Sequence, residues 1–128
     1  MKALSIRNPW AWLVKHGHKD IENRTWRTAY RGPLLIHASL KPAQAAQEIR
    51  EWARSEMGIL IPKQLEAGGI VGVVDVVDVV EQSTSPWFEG PFGFVLMNAK
   101  PCPFIPLRGR LGLFDVESTI CPIDPWAA

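Results

Sequence analysis

The stretch Gly69-Ile-Val-Gly-Val-Val-Asp-Val-Val-Asp-Val-Val80 limits what this chain can fold into more than any other. Strand side chains point alternately to opposite faces, so a strand with one wet face alternates apolar and polar residues. Ile70–Val80 is apolar at both parities, interrupted only by Asp75 and Asp78. Ile70–Glu81 is expected to form the longest strand and to be buried on both faces, as a barrel strand wrapped by helices is. The two aspartates have opposite parity, so either one turns inward at a bulge or both lie on a solvated edge. The run is too short to cross a bilayer.

Other strands are expected where β-branched and aliphatic residues cluster. These are Lys2–Ile6, the alternating Ile21–Trp26, the apolar Pro33–Ala38, Phe92–Met97 and the short Gly112–Val116. The proline-broken Lys100–Pro106 fits only an edge strand or an extended connection. Asn8-Pro9 predicts a helix start, with Asn8 as cap and Pro9 in the first helical position. That helix runs through Trp10, Leu13 and Val14 to His16 and stops at Gly17. Trp12 falls off its apolar stripe, where it lines a cleft or covers a neighbouring strand. A second helix is expected over residues 42–57, its stripe formed by Ala46, Ile49, Ala53 and Met57 with Trp52 flanking it. A further helical turn is expected over Pro62–Ala67, before Gly68-Gly69. Residues 83–93, containing Pro86-Trp87-Phe88-Glu89-Gly90-Pro91, form a loop. Arg108-Gly109-Arg110 is a basic turn. These elements fit one domain over residues 1–128, with a core from about 3 to 116 and a C-terminal arm over 117–128.

A net charge of +1 hides an asymmetry. Residues 1–41 carry eight Lys/Arg against two Asp/Glu, whereas residues 42–128 carry six against eleven. A basic third on an acidic remainder points to a face for anions, with Arg7, Lys15, Lys19, Arg24, Arg27 and Arg31 as candidates. The alternative is that folding interleaves the charges. Cys102 and Cys121 each lie beside a proline without metal-ligand spacing, and they read as free thiols of a reducing cytosol. No secretory signal opens the chain, so a cytoplasmic location without membrane attachment is expected. His16, His18 and His37 do not make a zinc site, because the first two are only two residues apart and no thiol or carboxylate has matching spacing. No phosphate-binding glycine loop is present and no cofactor is expected. His37, inside an apolar strand, reads as a satisfied core histidine.

The polar residues with chemical potential are densest after Gly17. On a strand, Glu22, Arg24 and Trp26 share one face, so a carboxylate, a guanidinium and an indole stand together, which suits a pocket wall. Lys19 precedes them, and Glu89 lies in the loop over 83–93. A lysine beside carboxylates can anchor a phosphate or a base carbonyl, or transfer protons if burial lowers its pKa. A plain surface ion pair is the alternative.

The segment Gly17-His18-Lys19-Asp20-Ile21-Glu22-Asn23-Arg24 resembles the GxKxxExR motif of the ASCH domain. Ser5-Ile-Arg-Asn-Pro-Trp-Ala-Trp12, Tyr30-Arg-Gly-Pro-Leu-Leu-Ile-His-Ala38, Gly69–Val74 and Gly112-Leu-Phe114 are similar to a common bacterial form of that family. The resemblance implies an α+β fold, a small PUA-like β-barrel with helices packed around it, and a cleft carrying the motif. It also implies an RNA-related role, with RNA or a nucleoside or nucleotide as partner. A smaller branch of the family hydrolyses the acetyl amide of N4-acetylcytidine with a lysine, a threonine nucleophile and a glutamate. By position these correspond to Lys19, Glu22 in place of the threonine, and Glu89. A carboxylate does not replace an alcohol nucleophile activated by lysine. Thr25 is close in the chain but points to the other strand face.

The expected function is therefore recognition of RNA, or of a base from it, in a cleft where Lys19 and Arg24 meet phosphate or carbonyl oxygens. Glu22 holds Lys19 or accepts from an exocyclic amine. Arg7 is expected to touch the ligand, and Trp26, Trp87 or Trp10 to stack a base. Two other classes compete with this reading. One is an enzyme, an amidohydrolase or ribonuclease, with Lys19, Glu22 and Glu89 as its catalytic set. The other is a protein-interaction module presenting Trp87-Phe88.

Overall fold

In the computed structural model, which describes residues 1–117, the chain runs β1 (Lys2–Ile6), α1 (Trp10–Lys15), β2 (Ile21–Arg24), β3 (Gly32–Ala38), α2 (Ala46–Met57), β4 (Gly69–Val80), β5 (Phe92–Pro106) and β6 (Leu113–Asp115). The six strands form one mixed sheet in the order β2-β5-β4-β3-β1-β6. Only β1 and β3 pair in parallel, Ala3 opposite Leu35 and Ile6 opposite Ala38; all other neighbours are antiparallel. A parallel pair requires a long crossover. Here that crossover carries α1 and β2, and so the whole GxKxxExR segment.

The core explains the pairing. Along β1 and β3, Leu4, Ile6, Leu34 and Ile36 turn inward with Val74, Val76, Phe94 and Leu96, and α1 closes over them with Ala11 and Val14. The alternate residues Ala3 and Leu35 pack on the other face with Ile70, Val73, Cys102 and Phe114. Burying each such Leu, Ile or Phe side chain contributes roughly 1.5–3 kcal/mol. The doubly buried strand expected at 70–81 is doubly buried only in its first half. Ile70–Val74 is buried throughout, but Val77 is 43% exposed. Register shifts between Val73 and Asp75 and between Val76 and Asp78 turn both aspartates outward. Asp75 accepts from Asn98 Nδ2 at 2.9 Å, and Asp78 lies 3.7 Å from Arg31.

The barrel is not closed. Among the described residues the sheet curls into a half-barrel whose edge strands are β2 and β6, four and three residues long. Ladder pairing does not join these edges; a side chain spans the seam, with Arg24 Nη2 donating to Ser5 O on β1 at 2.9 Å. Several local expectations change. β2 ends at Arg24, so Trp26 lies beyond the strand. The two runs expected at 92–97 and 100–106 are one continuous strand, β5. Its stretch after Val95 has lost β2 as a neighbour, which lets Pro101, Pro103 and Pro106 face an open edge. Residues 62–67 are irregular rather than helical. Asn8 does not cap α1: Pro9 occupies the cap position, and Asn8 Nδ2 donates to Glu66 O at 2.9 Å, tying that irregular segment to α1. Gly17 does end the helix, at φ +77°. The expected C-terminal arm lies, from residue 118, outside the described residues, as does Cys121; Cys102 is a buried free thiol.

Candidate functional site

The motif builds a compact charge cluster at the open seam. Lys19 is buried because the turn after Gly17 folds it back against the start of β2, where its Nζ donates to Ile21 O and to Glu22 Oε1, the latter at 2.9 Å. Glu22 Oε2 accepts from Arg24 Nε at 3.1 Å and from Arg24 Nη2 at 2.8 Å. The shared strand face expected of Glu22 and Arg24 thus becomes a Lys–Glu–Arg triad with one carboxylate between two cations. Glu22 is 6% exposed, so its charge is stable there only because both oxygens are hydrogen-bonded to cations.

Asn23, which parity assigns to the opposite face, organises the neighbouring loop. Its Nδ2 donates to Trp87 O at 2.9 Å, and its Oδ1 accepts from the Glu89 and Gly90 N–H groups at 2.8 and 3.0 Å. One amide therefore holds three backbone groups of a segment with no regular structure of its own. Gly93, opposite Asn23 in the ladder, allows the Phe88 ring to lie on the strand; a Cβ there would come within 2.8 Å of Phe88 Cδ1. Trp87-Phe88 consequently packs inward. Trp87 is only 7% exposed and its ring meets Trp52 of α2 edge-on, centroids 5.0 Å apart and planes at 76°. The pair is not an outward anchor, because the latch at Asn23 turns the loop under α2.

Among the described residues, two cavities border this cluster and a further one shares walls with the second. The first, about 250 Å³, is lined by Trp10, Lys19, Asn23, Glu48, Ile49, Trp52, Pro86, Trp87 and Glu89. The second, about 460 Å³, shares Trp10 and Asn23 with it and adds Ser5, Arg7, Glu22, Arg24, Thr25, Trp26 and Arg110. The third, about 640 Å³, shares Ser5, Ser39, Arg110 and Leu111 with the second and continues past His37 and Arg108. Side by side, they extend from the tryptophans, past the triad, to the basic turn.

The eight site residues expected from the sequence distribute along it. Lys19, Trp10, Trp87 and Glu89 line the first cavity; Arg7, Glu22, Arg24, Trp26 and again Trp10 line the second. Glu89 is exposed and meets Asn23 through its backbone, not Lys19 through its carboxylate. Trp26 packs edge-on to Phe94 at 5.2 Å, which ties it to the core. His37 is satisfied, bonded to Ser5 Oγ at 3.0 Å and Leu107 O at 2.6 Å. Trp12 faces His16 and His18 away from the groove, with centroids at 4.6 and 5.5 Å. Partial burial lowers the His16 pKa below 6.5, helped by Lys15 and His18.

The basic face is smaller than the charge count implies. Lys15 pairs with Glu66, Arg27 with Glu81 and Arg31 with Asp78, so the acidic remainder of the chain neutralises them. Arg7 in the second cavity, Arg108 in the third and Arg110 in both have no carboxylate partner among the described residues. Sequence reasoning did not single out Asn23, Trp52, Arg108 or Arg110 as site residues. Asn23 lies inside the motif and Trp52 lies off its helical stripe, so both left a trace; that the basic turn would return beside Arg7 did not. No group of three or more His, Cys, Asp or Glu able to hold a metal is present among the described residues, and no helix among them is long and apolar enough to cross a membrane.

A small α+β half-barrel with two outer helices, and a Lys–Glu–Arg motif on its β1–β3 crossover, has the layout of the PUA-like folds. Residues 4–94 match the ASCH domain model, and the chain belongs to that family. The human protein Activating signal cointegrator 1 is 29% identical over 130 residues, a match covering 91% of this chain and 22% of that protein. The mouse protein of the same name is 28% identical over 130 residues, with the same coverage. The chain thus spans 22% of the length of these relatives.

Proposed function

We propose that the groove binds single-stranded RNA, or a nucleotide from it, with a base against Trp10, Trp52 and Trp87 and phosphates on Arg7, Arg108 and Arg110. One observation carries this reading: the tryptophan cavity shares walls with an arginine-lined cavity, and that one with the next, so stacking surface and cations with no carboxylate partner among the described residues lie side by side. That is the combination by which single strands are held, aromatic faces for bases and a positive track for the backbone. The triad serves as the floor of the path. With the Lys19 and Arg24 charges both paired to Glu22, it orients the cavity walls more than it supplies charge, and one Lys19 N–H stays uncommitted.

An oligoribonucleotide titration at increasing salt tests this. Affinity falls as salt rises, and Arg7→Ala or Arg110→Ala flattens the slope of log K against log salt by about 0.7 for each phosphate that is no longer neutralised. Binding without salt dependence, or slopes unchanged in both variants, overturns the reading. The hydrolase reading requires an alcohol beside Lys19, and the group bonded to Nζ is the Glu22 carboxylate; incubation with N4-acetylcytidine and measurement of released acetate tests it separately.

A further inference from the structure

We propose that the tryptophan-walled cavity selects a positively charged, N-alkylated nucleobase over its neutral parent. This deepens the RNA reading above and rests on it. The Trp52 and Trp87 rings meet edge-on at 76° with centroids 5.0 Å apart, and Trp10 lines the same space; Trp52, 37% exposed against 7% for Trp87, offers the larger open surface. Indole faces carry the negative part of a quadrupole and attract cations brought over them. Glu48 and Glu89 add two carboxylates to the wall. The one cation on that wall, Lys19, is held 2.9 Å from Glu22. The cavity is therefore electron-rich, although it opens into an arginine-lined groove. A neutral base gains stacking there; a base carrying a delocalised positive charge gains stacking, cation–π attraction and the attraction of two acidic wall residues.

Size and hydrogen bonding favour a ring over an alkylammonium. About 250 Å³ admits one planar base. Lys19 Nζ has three N–H donors, two of them committed to Ile21 O and Glu22 Oε1. The third suits a ring carbonyl, which 7-methylguanine and 3-methylcytosine have and a trimethylammonium group lacks. Arg7 in the adjoining cavity also opposes the basic peptide that would carry a methylated lysine and favours a phosphate-bearing chain.

The test is a tryptophan-fluorescence titration of the folded chain with 7-methylguanosine against guanosine and 3-methylcytidine against cytidine, slightly below neutral pH, where both methylated bases are cations. Each methylated nucleoside binds at least about tenfold more tightly than its parent. Trp52→Ala and Glu48→Gln lower that ratio, while Arg54→Ala, on the same helix but outside the cavity, leaves it unchanged. Glu48 is exposed, so its substitution tests the charge without unfolding the chain. Equal affinities for methylated and parent nucleosides overturn the proposal. So does a ratio unchanged in both cavity variants, or tighter binding of a trimethyl-lysine peptide. If salt-dependent binding of an unmodified oligoribonucleotide persists while the nucleoside ratio is one, only the selectivity is wrong. If the ratio holds and the oligoribonucleotide does not bind, the RNA groove is wrong.

Discussion

Glu22 is the residue on which the seam depends. It is almost fully buried between Lys19 and Arg24, and removing it leaves one buried cation with a single backbone acceptor and a second that faces the cavity. Breaking a buried charge pair from one side is strongly destabilising, so Glu22→Ala is expected to lower stability by about 3 kcal/mol in urea unfolding. Glu89→Gln changes an exposed carboxylate and leaves the unfolding midpoint near that of the parent. His16 gives a pH prediction. Its pKa is lowered in the folded chain by partial burial first, then by Lys15 and His18. The folded state therefore binds fewer protons than the unfolded one, and stability falls as pH drops through the ordinary histidine value of 6.5, levelling once folded His16 itself protonates. Unfolding midpoints followed from neutral to mildly acidic pH are expected to show this decline in the parent and a smaller one in His16→Gln.

Among the elements, β2 and the loop over 83–91 are interdependent. β2 is short and pairs on one side only, with β5. What it lacks in ladder bonds it gains through Asn23, whose amide fixes three backbone groups of the loop and through them the position of Trp87. The close approach of Phe88 to Gly93 holds the same loop from the other side. Gly93→Ala forces the Phe88 ring to shift, so it is expected to raise amide exchange at Glu89 and Gly90 by roughly tenfold or more while exchange in β3 stays near that of the parent. Equal acceleration in both places would show that the glycine supports the whole sheet rather than the loop.

The whole molecule places opposite charges so that a nearly neutral protein keeps a local cationic path. Arg27 and Arg31 are paired across the surface with Glu81 and Asp78, whereas Arg7 and Arg110 share one cavity. The double variant Arg27→Ala/Arg31→Ala is expected to bind an oligoribonucleotide within about twofold of the parent, and Arg7→Ala/Arg110→Ala to bind at least about tenfold more weakly, at the same salt. A fluorescence-anisotropy titration of all three proteins checks this; equal losses would mean that the net charge of residues 1–41, rather than the groove, drives association.

Much of this arrangement was present in the amino-acid order alone. Apolar clusters, their periodicity and the helix-end signals marked the places of the strands and helices seen among the described residues, and the spacing of Lys19, Glu22 and Arg24 marked the cluster. The order did not show that β2 would stop at Arg24, that the sheet would remain open, or that the proline-broken stretch would continue β5, since each outcome depends on which strand lies alongside. Nor did it show which cations meet a carboxylate among the described residues. Lys15, Arg27 and Arg31 meet carboxylates at least 47 positions away in sequence, and the basic turn at 108–110 comes to rest in the same groove as Arg7. Local patterns fix what a residue prefers to bury or expose. Only the tertiary structure decides who its neighbours are, because Coulomb attraction, stacking and cavity shape act through distances in space and not along the chain.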